Sequence, residues 1–209
     1  MAALISDHRS PFPDREQRLA SRVAKREALL LAAVRMFNER GFHATSLDEV
    51  AASLGVSKPT VYHHLGNKDQ VLFECVLIGL KQLQEAAAIA AARPGRGIDR
   101  LHDFLIRYAQ INMDDFGRCV VRTGDEALSP ESATRFRALK REIDQALRRL
   151  VEDGVADGSI AATDTRLLAF TLAGALNWPA RWFVADGPLS AAEVAKQMVG
   201  MLIAGVAPR

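Results

Sequence analysis

Apolar side chains recur along this chain three and four positions apart, the spacing that gathers them on one face of a helix. Leu29, Leu30, Ala33, Val34 and Phe37 form the first stripe, over about Ser21 to Arg40, and Gly41 ends it. Leu47, Val50, Ala51 and Leu54 form a second, Val61 and Leu65 a third, and Val71, Leu72, Cys75, Val76 and Leu80 a fourth that runs towards Ala92. After the break Arg93-Pro94-Gly95-Arg96-Gly97, the residues Leu101, Phe104, Leu105, Tyr108 and Ile111 predict an amphipathic helix. Met113 and Phe116 follow in a less regular, Asp-bearing connection. Ser129-Pro130-Glu131 opens a long helix to about Asp153, with Phe136, Leu139, Ile143, Leu147 and Leu150 on its apolar side. Two late apolar helices start at Thr163 or Asp164 and at Ser190. Alternating runs are few and β-branched residues scattered, so the pattern predicts an all-α fold of about nine helices.

Within this pattern, Thr45 to Asp69 carries the most local information. Ser46 and Glu49 match the capping box, in which each side chain satisfies a backbone N–H left free by a first helical turn. Leu47 therefore starts a helix, and Gly55 supplies positive φ after it. Ser57 is placed to cap a second helix, where Pro59 is tolerated because first-turn amides have no intrahelical acceptor. Two helices joined this tightly, with the small Ala51 at their contact, make a helix-turn-helix. The second helix leaves Lys58, Thr60, Tyr62 and His63 away from Val61, a donor set suited to phosphates and base edges in a major groove. It contains no Arg, so guanine readout falls to Lys58. The alternative is a helical hairpin with a solvated polar face. Asn67 and Gln70 predict a further capping box, and Lys68 in that first turn adds its charge to free amides and the helix dipole as an anion site. A surface Lys beside a cap is the plainer reading.

Charge sharpens this only slightly. The chain has 209 residues and a net charge of +2, enough length for one domain or two small ones. Residues 1 to 70 hold 10 Lys and Arg against 8 Asp and Glu, and the remainder is balanced, so the small excess lies at the helix-turn-helix end. Residues 1 to 20, with Pro11 and Pro13, predict a flexible arm whose Arg9, Arg15 and Arg18 either lie along phosphates or are solvated. Cys75 and Cys119 lack metal-ligand or disulfide spacing and predict two buried thiols. For Cys119, the neighbouring Arg118 and Arg122 offer a second reading, a thiol of lowered pKa. No signal-peptide pattern opens the chain, and Leu167 to Ala185 is broken by Asn177, Pro179 and Arg181 before it could span a bilayer. The expectation is a soluble cytoplasmic protein without membrane contact. His63 and His64 are adjacent, not the i, i+4 pair of a helical zinc site, and neither G-x-S-x-G nor a Gly-rich phosphate loop occurs. No enzyme, metal or cofactor is expected.

The segment GFHATSLDEVAASLGVSKPTVYHHLGNKDQVL resembles the DNA-binding domain of the TetR/AcrR family of transcriptional regulators, over about residues 22 to 75. The resemblance implies that Thr45, Tyr62, His64 and Lys68 contact or support the DNA backbone, completing a DNA-binding set with Lys58, Thr60 and His63. Pro59, where Gly or a small residue is frequent, and Leu65, where Phe is frequent, depart mildly. It also implies a homodimer through the last two helices, which agrees with the nearly all-round apolar LLAFTLAGAL and its small Ala169, Ala173 and Gly174. The stretch NWPARWFVADGPLS is similar to the C-terminal region of TetR-type regulators of fatty-acid and sterol-ring catabolism, some of which respond to acyl-CoA thioesters. Phe104, Tyr108, Met113, Phe116, Arg122, Trp178 and Trp182 are the candidate ligand-binding residues, with bundle packing the alternative for the aromatic ones. The expected organisation is an arm over 1–20, a DNA-binding domain over 21–70 and a ligand-binding and dimerisation domain over 71–209. The expected function is a ligand-responsive repressor that binds a palindromic double-stranded operator as a dimer and is released by a small lipophilic, acyl-CoA-like effector. The competing function is a ligand-independent helix-turn-helix protein.

Overall fold

The computed structural model describes residues 15–206, and every regular element among them is helical. In order these are α1 (Arg15–Arg40), α2 (Leu47–Ser53), α3 (Lys58–Leu65), α4 (Lys68–Ala92), α5 (Gly97–Met113), α6 (Asp115–Arg122), α7 (Pro130–Ala156), α8 (Thr165–Asn177), the single turn α9 (Pro179–Trp182) and α10 (Ala191–Val206). α1, α2 and α3 pack on one another around Leu30, Val34, Val50, Ala51 and Val61. α4 leaves this head and runs through the larger bundle, where α5, α6 and α7 surround it. Its buried Val71, Leu72, Cys75, Val76, Leu80 and Leu83 supply that bundle's centre. Among the described residues, α4 is also the helix long and apolar enough to cross a bilayer, a property the sequence pattern sought in Leu167 to Ala185. Here the apolar length serves to pack against three neighbours.

Three details depart from the predicted pattern. α1 begins at Arg15, so the stretch expected to be an arm is helical from there onward; Arg9 lies outside the described residues. α6 occupies what the pattern reads as an irregular connection. Its cap is Asp114, which accepts from Gly117 N at 2.8 Å. Leu54, fourth in the α2 stripe, is exposed because α2 ends before it and the chain turns at Gly55, φ +64°.

α6 matters because it joins the head to the bundle. Arg35 of α1 meets Asp115 at 2.8 Å, and Asn38 of α1 donates to Asp115 O at 2.8 Å. On the opposite side, α6 crosses α4 at Gly79, where a Cβ would sit 2.6 Å from Phe116 O. Only glycine permits that approach.

Candidate DNA interface and effector cavity

Both capping boxes form. Ser46 N donates to Glu49 Oε2 at 2.7 Å and Glu49 N to Ser46 Oγ at 3.1 Å; the bond from Ser46 N, with a second from Ser46 Oγ at 2.9 Å, holds the Glu49 carboxyl below its usual pKa. Asn67 and Gln70 repeat the arrangement at 2.9 Å in each direction, fixing the start of α4. Ser57 behaves differently. Its hydroxyl lies 2.8 Å from Thr60 Oγ1 and makes no cap bond, so the first-turn amides of α3 have no side-chain partner.

Lys58, Tyr62 and His63 are exposed on the outer face of α3, with Thr60 and His64 half-buried beside them. The Lys58 ammonium is paired with Asp48 of α2, which raises its pKa. It therefore stays charged, and it must exchange Asp48 for a phosphate or base acceptor to engage DNA. Thr45 is only 2 % exposed, with Oγ1 3.0 Å from Gly41 O and 3.2 Å from Met36 O. It braces the α1–α2 turn from inside. Lys68 Nζ sits 4.3 Å from the Phe42 ring centroid and 3.4 Å from His43 O; partial burial lowers its pKa, with Glu49 opposing.

Sequence reasoning missed Arg26. Its Nε donates to Glu74 Oε1 at 3.1 Å, a second nitrogen reaches Oε2, and Nη1 donates to His64 O, so one guanidinium ties α1, α3 and α4 together. The partners lie 38 and 48 positions away, beyond any local signal. Burial, and then the neighbouring His63, Arg22, Lys25 and Arg26, depress the His64 pKa below its ordinary 6.5. The folded chain therefore binds fewer protons than the unfolded chain between those two values. Stability should be unaffected by this group above pH 6.5 and should fall as pH drops from 6.5 towards the folded value. His64→Gln is expected to flatten that segment of a plot of Tm against pH; an unchanged slope would show that His64 is not responsible.

A cavity of about 220 Å³ lies between α4, α5, α6, α7 and α8, walled chiefly by Leu80, Leu83, Val120, Ile143 and Leu147. Tyr108 and Asn112 of α5 and Asn177 of α8 form its polar side. Of the seven expected ligand-binding residues, only Tyr108 lines this cavity. Phe104 and Met113 are buried in the surrounding core, and Phe116 is half-buried where α6 meets α4. Arg122 lines a separate cleft of about 210 Å³ with Phe42, His43 and Arg181. Trp178 is 63 % exposed at the end of α8, and Trp182 in the following turn is likewise at the surface. Neither lines the α4–α8 cavity. Asn112 and Asn177 line it instead.

The reactive reading of Cys119 is also overturned. Arg118 is directed to Phe183 O at 2.9 Å, and burial pushes the Cys119 thiol up to about 11, far from a thiolate at neutral pH. Cys75 is buried as well, with its pKa raised for the same reason.

A helix-turn-helix head built on α1 and joined by a long central helix to an α-helical domain defines a transcriptional regulator. Residues 29–75 match the bacterial regulatory proteins of the tetR family, and residues 94–206, more than half of the chain, match the tetracyclin repressor-like C-terminal domain. The chain belongs to the TetR family of transcriptional regulators and is not an enzyme. It is 28% identical over 206 residues to the HTH-type transcriptional repressor KstR2 of Mycolicibacterium smegmatis, covering 93% of this chain and 95% of that one. The crystal structure of PfmR from Thermus thermophilus matches with a TM-score of 0.77 and 32% identity, over 84% of this chain and 97% of that one. AibR in complex with isovaleryl coenzyme A and operator DNA matches with a TM-score of 0.75 and 26% identity, over 86% of this chain and 98% of that one.

Proposed function

We propose that this regulator is a cytoplasmic homodimeric repressor whose hold on a palindromic operator is released by a compact acyl-CoA-like effector in the α4–α8 cavity. The observation that carries this is the course of α4: it walls the cavity with Leu80 and Leu83 and ends at the DNA face with Lys68. Movement imposed on the middle of a continuous helix is delivered to its N-terminal end. Arg26 makes the head follow, since it bonds both α3 and α4. The likeness to KstR2, named a repressor, and to AibR, solved with isovaleryl coenzyme A and operator DNA, supports the same assignment.

The DNA-binding residues are Lys58, Thr60, Tyr62, His63, His64 and Lys68, with Thr45 supporting from beneath. Each head is small, and a dimer would place two recognition helices in successive major grooves one helical turn, ~34 Å, apart. The effector releases DNA only to the extent that it prefers the DNA-incompatible arrangement. A coupling of ~1–3 kcal/mol corresponds to about 5- to 150-fold weaker operator binding.

Titrating operator binding with isovaleryl coenzyme A and with longer acyl-CoA thioesters tests this. Release within that range by at least one thioester, accompanied by a raised Tm of the free protein, is the expected result. Operator affinity unmoved by every thioester would leave a ligand-independent helix-turn-helix protein as the better description.

A further inference from the structure

The α4–α8 cavity contains one polar group that the fold leaves unpaired. Asn112 is fully buried, and its Nδ2 donates to Asn177 Oδ1 at 2.9 Å and to Leu176 O at 3.4 Å. Its Oδ1 has no hydrogen-bond partner. The orientation is dictated by the neighbours: Tyr108 OH also donates to Asn177 Oδ1, at 2.9 Å. Turning the Asn112 amide over, with Asn177 turned in step to donate to it, would still set the Asn112 oxygen against the fixed Leu176 carbonyl and give up the bond that carbonyl now accepts. The free position is therefore an acceptor, and a buried acceptor without a donor is costly enough that native proteins almost always satisfy it.

We infer that the buried end of the effector donates a hydrogen bond to Asn112 Oδ1, through a hydroxyl or an amide N–H, and that an ionised carboxylate is refused there. This rests on the α4–α8 cavity being the effector site. A carboxylate only accepts, and Asn112 would repel it. The surrounding Leu80, Leu83, Val120, Ile143 and Leu147 offer it no cation. Lys140, the one cationic residue lining the cavity, is exposed, with its ammonium over the Phe136 ring at 4.9 Å, and Asp144 at the same edge is paired with Arg148. At about 220 Å³ the cavity is smaller than the ~300–1,000 Å³ of drug-sized sites, so the group that enters is compact. Asn112 thus selects for a short apolar group bearing a donor over an equally short unsubstituted one.

Phenol, toluene and benzoate are probes of matched size that differ in this property. With the full-length protein, phenol should move the side-chain amide resonance of Asn112 in an NMR titration well beyond the ring-current shift that toluene produces there. The ratio of toluene to phenol dissociation constants should fall about tenfold in Asn112→Leu, and benzoate should not compete for the cavity. The wild-type resonance keeps the test decisive if Asn112→Leu folds poorly. Phenol and toluene binding in the cavity with the same ratio in both proteins, or an Asn112 resonance moved no further by phenol than by toluene, would overturn the donor requirement while leaving the effector cavity intact. Failure of every probe to enter, together with no operator release by any thioester, would overturn both.

Discussion

Met201→Arg is expected to turn the protein into a monomer and to weaken operator binding by about 10²- to 10⁴-fold, the range that linking two binding modules contributes. Met201 is 69 % exposed on a helix whose other side, Val194, Ala195 and Val199, is buried. Gly200 and Ala204 flank it on the exposed side of α10, while Leu167, Phe170, Gly174 and Trp178 are exposed along α8 and into α9. A continuous apolar surface of this kind is a protein interface more often than a solvated face. Small residues between the large ones let backbones approach, and a two-fold axis would set each α8–α10 pair against its copy. The introduced guanidinium would then be desolvated near a like charge from the other protomer, which is strongly unfavourable. Because the native side chain is exposed within the protomer, its replacement should leave helix content and protomer folding unchanged. Sedimentation equilibrium and operator titration read the two effects. A variant that remained dimeric with normal operator affinity would remove α8 and α10 from the interface.

How much of this could be seen in the chain itself depended on the range of the interactions. The helix-turn-helix was legible because capping boxes, the Gly55 turn and the Ala51 contact each involve residues within a few positions of one another. The cavity was not, since its walls come from five helices and are set by packing. Aromatic residues near Pro179 suggest a pocket, yet chain direction after α8 decides where Trp178 and Trp182 point, and it points them outward. One local signal does bear on the cavity. Asn112 follows Tyr108 by four positions on the apolar stripe of α5, and a polar residue placed there must either find buried partners or await a ligand. Asn177, which reads in the sequence only as an interruption of a hydrophobic run, is its partner. Arg26 and Asp69 had no such signal, since both act through contacts 38 to 63 positions distant.

Asp69→Ala is expected to reduce effector-driven release of the operator from the ~5- to 150-fold of ordinary coupling to less than about threefold, with unliganded operator affinity changed by no more than that. Asp69 follows Lys68 in the first turn of α4, and its carboxylate accepts from Ser129 N at 2.7 Å and Ser132 Oγ at 3.3 Å. Ser129 is the N-cap of α7, so one side chain joins the DNA-facing end of α4 to the start of the helix that forms the far wall of the cavity through Ile143 and Leu147. A carboxylate at a helix N-terminus is held by free amides and by the dipole together, which makes this a firm joint between two otherwise sliding helices. An effector that parts α4 from α7 at the cavity must therefore tilt α4 about this joint, and Arg26 carries the head with it. Without the joint, α7 can yield while α4 stays where the operator holds it. Linkage requires the reciprocal effect: operator DNA should no longer weaken binding of the releasing thioester to the variant. Asp69→Asn, which keeps an acceptor for Ser129 N but loses the charge, should fall between the two. Full release of Asp69→Ala by the same thioester that releases the wild-type protein would show that the signal reaches α4 by another route, with the Arg35 and Asn38 contacts to α6 the next to test.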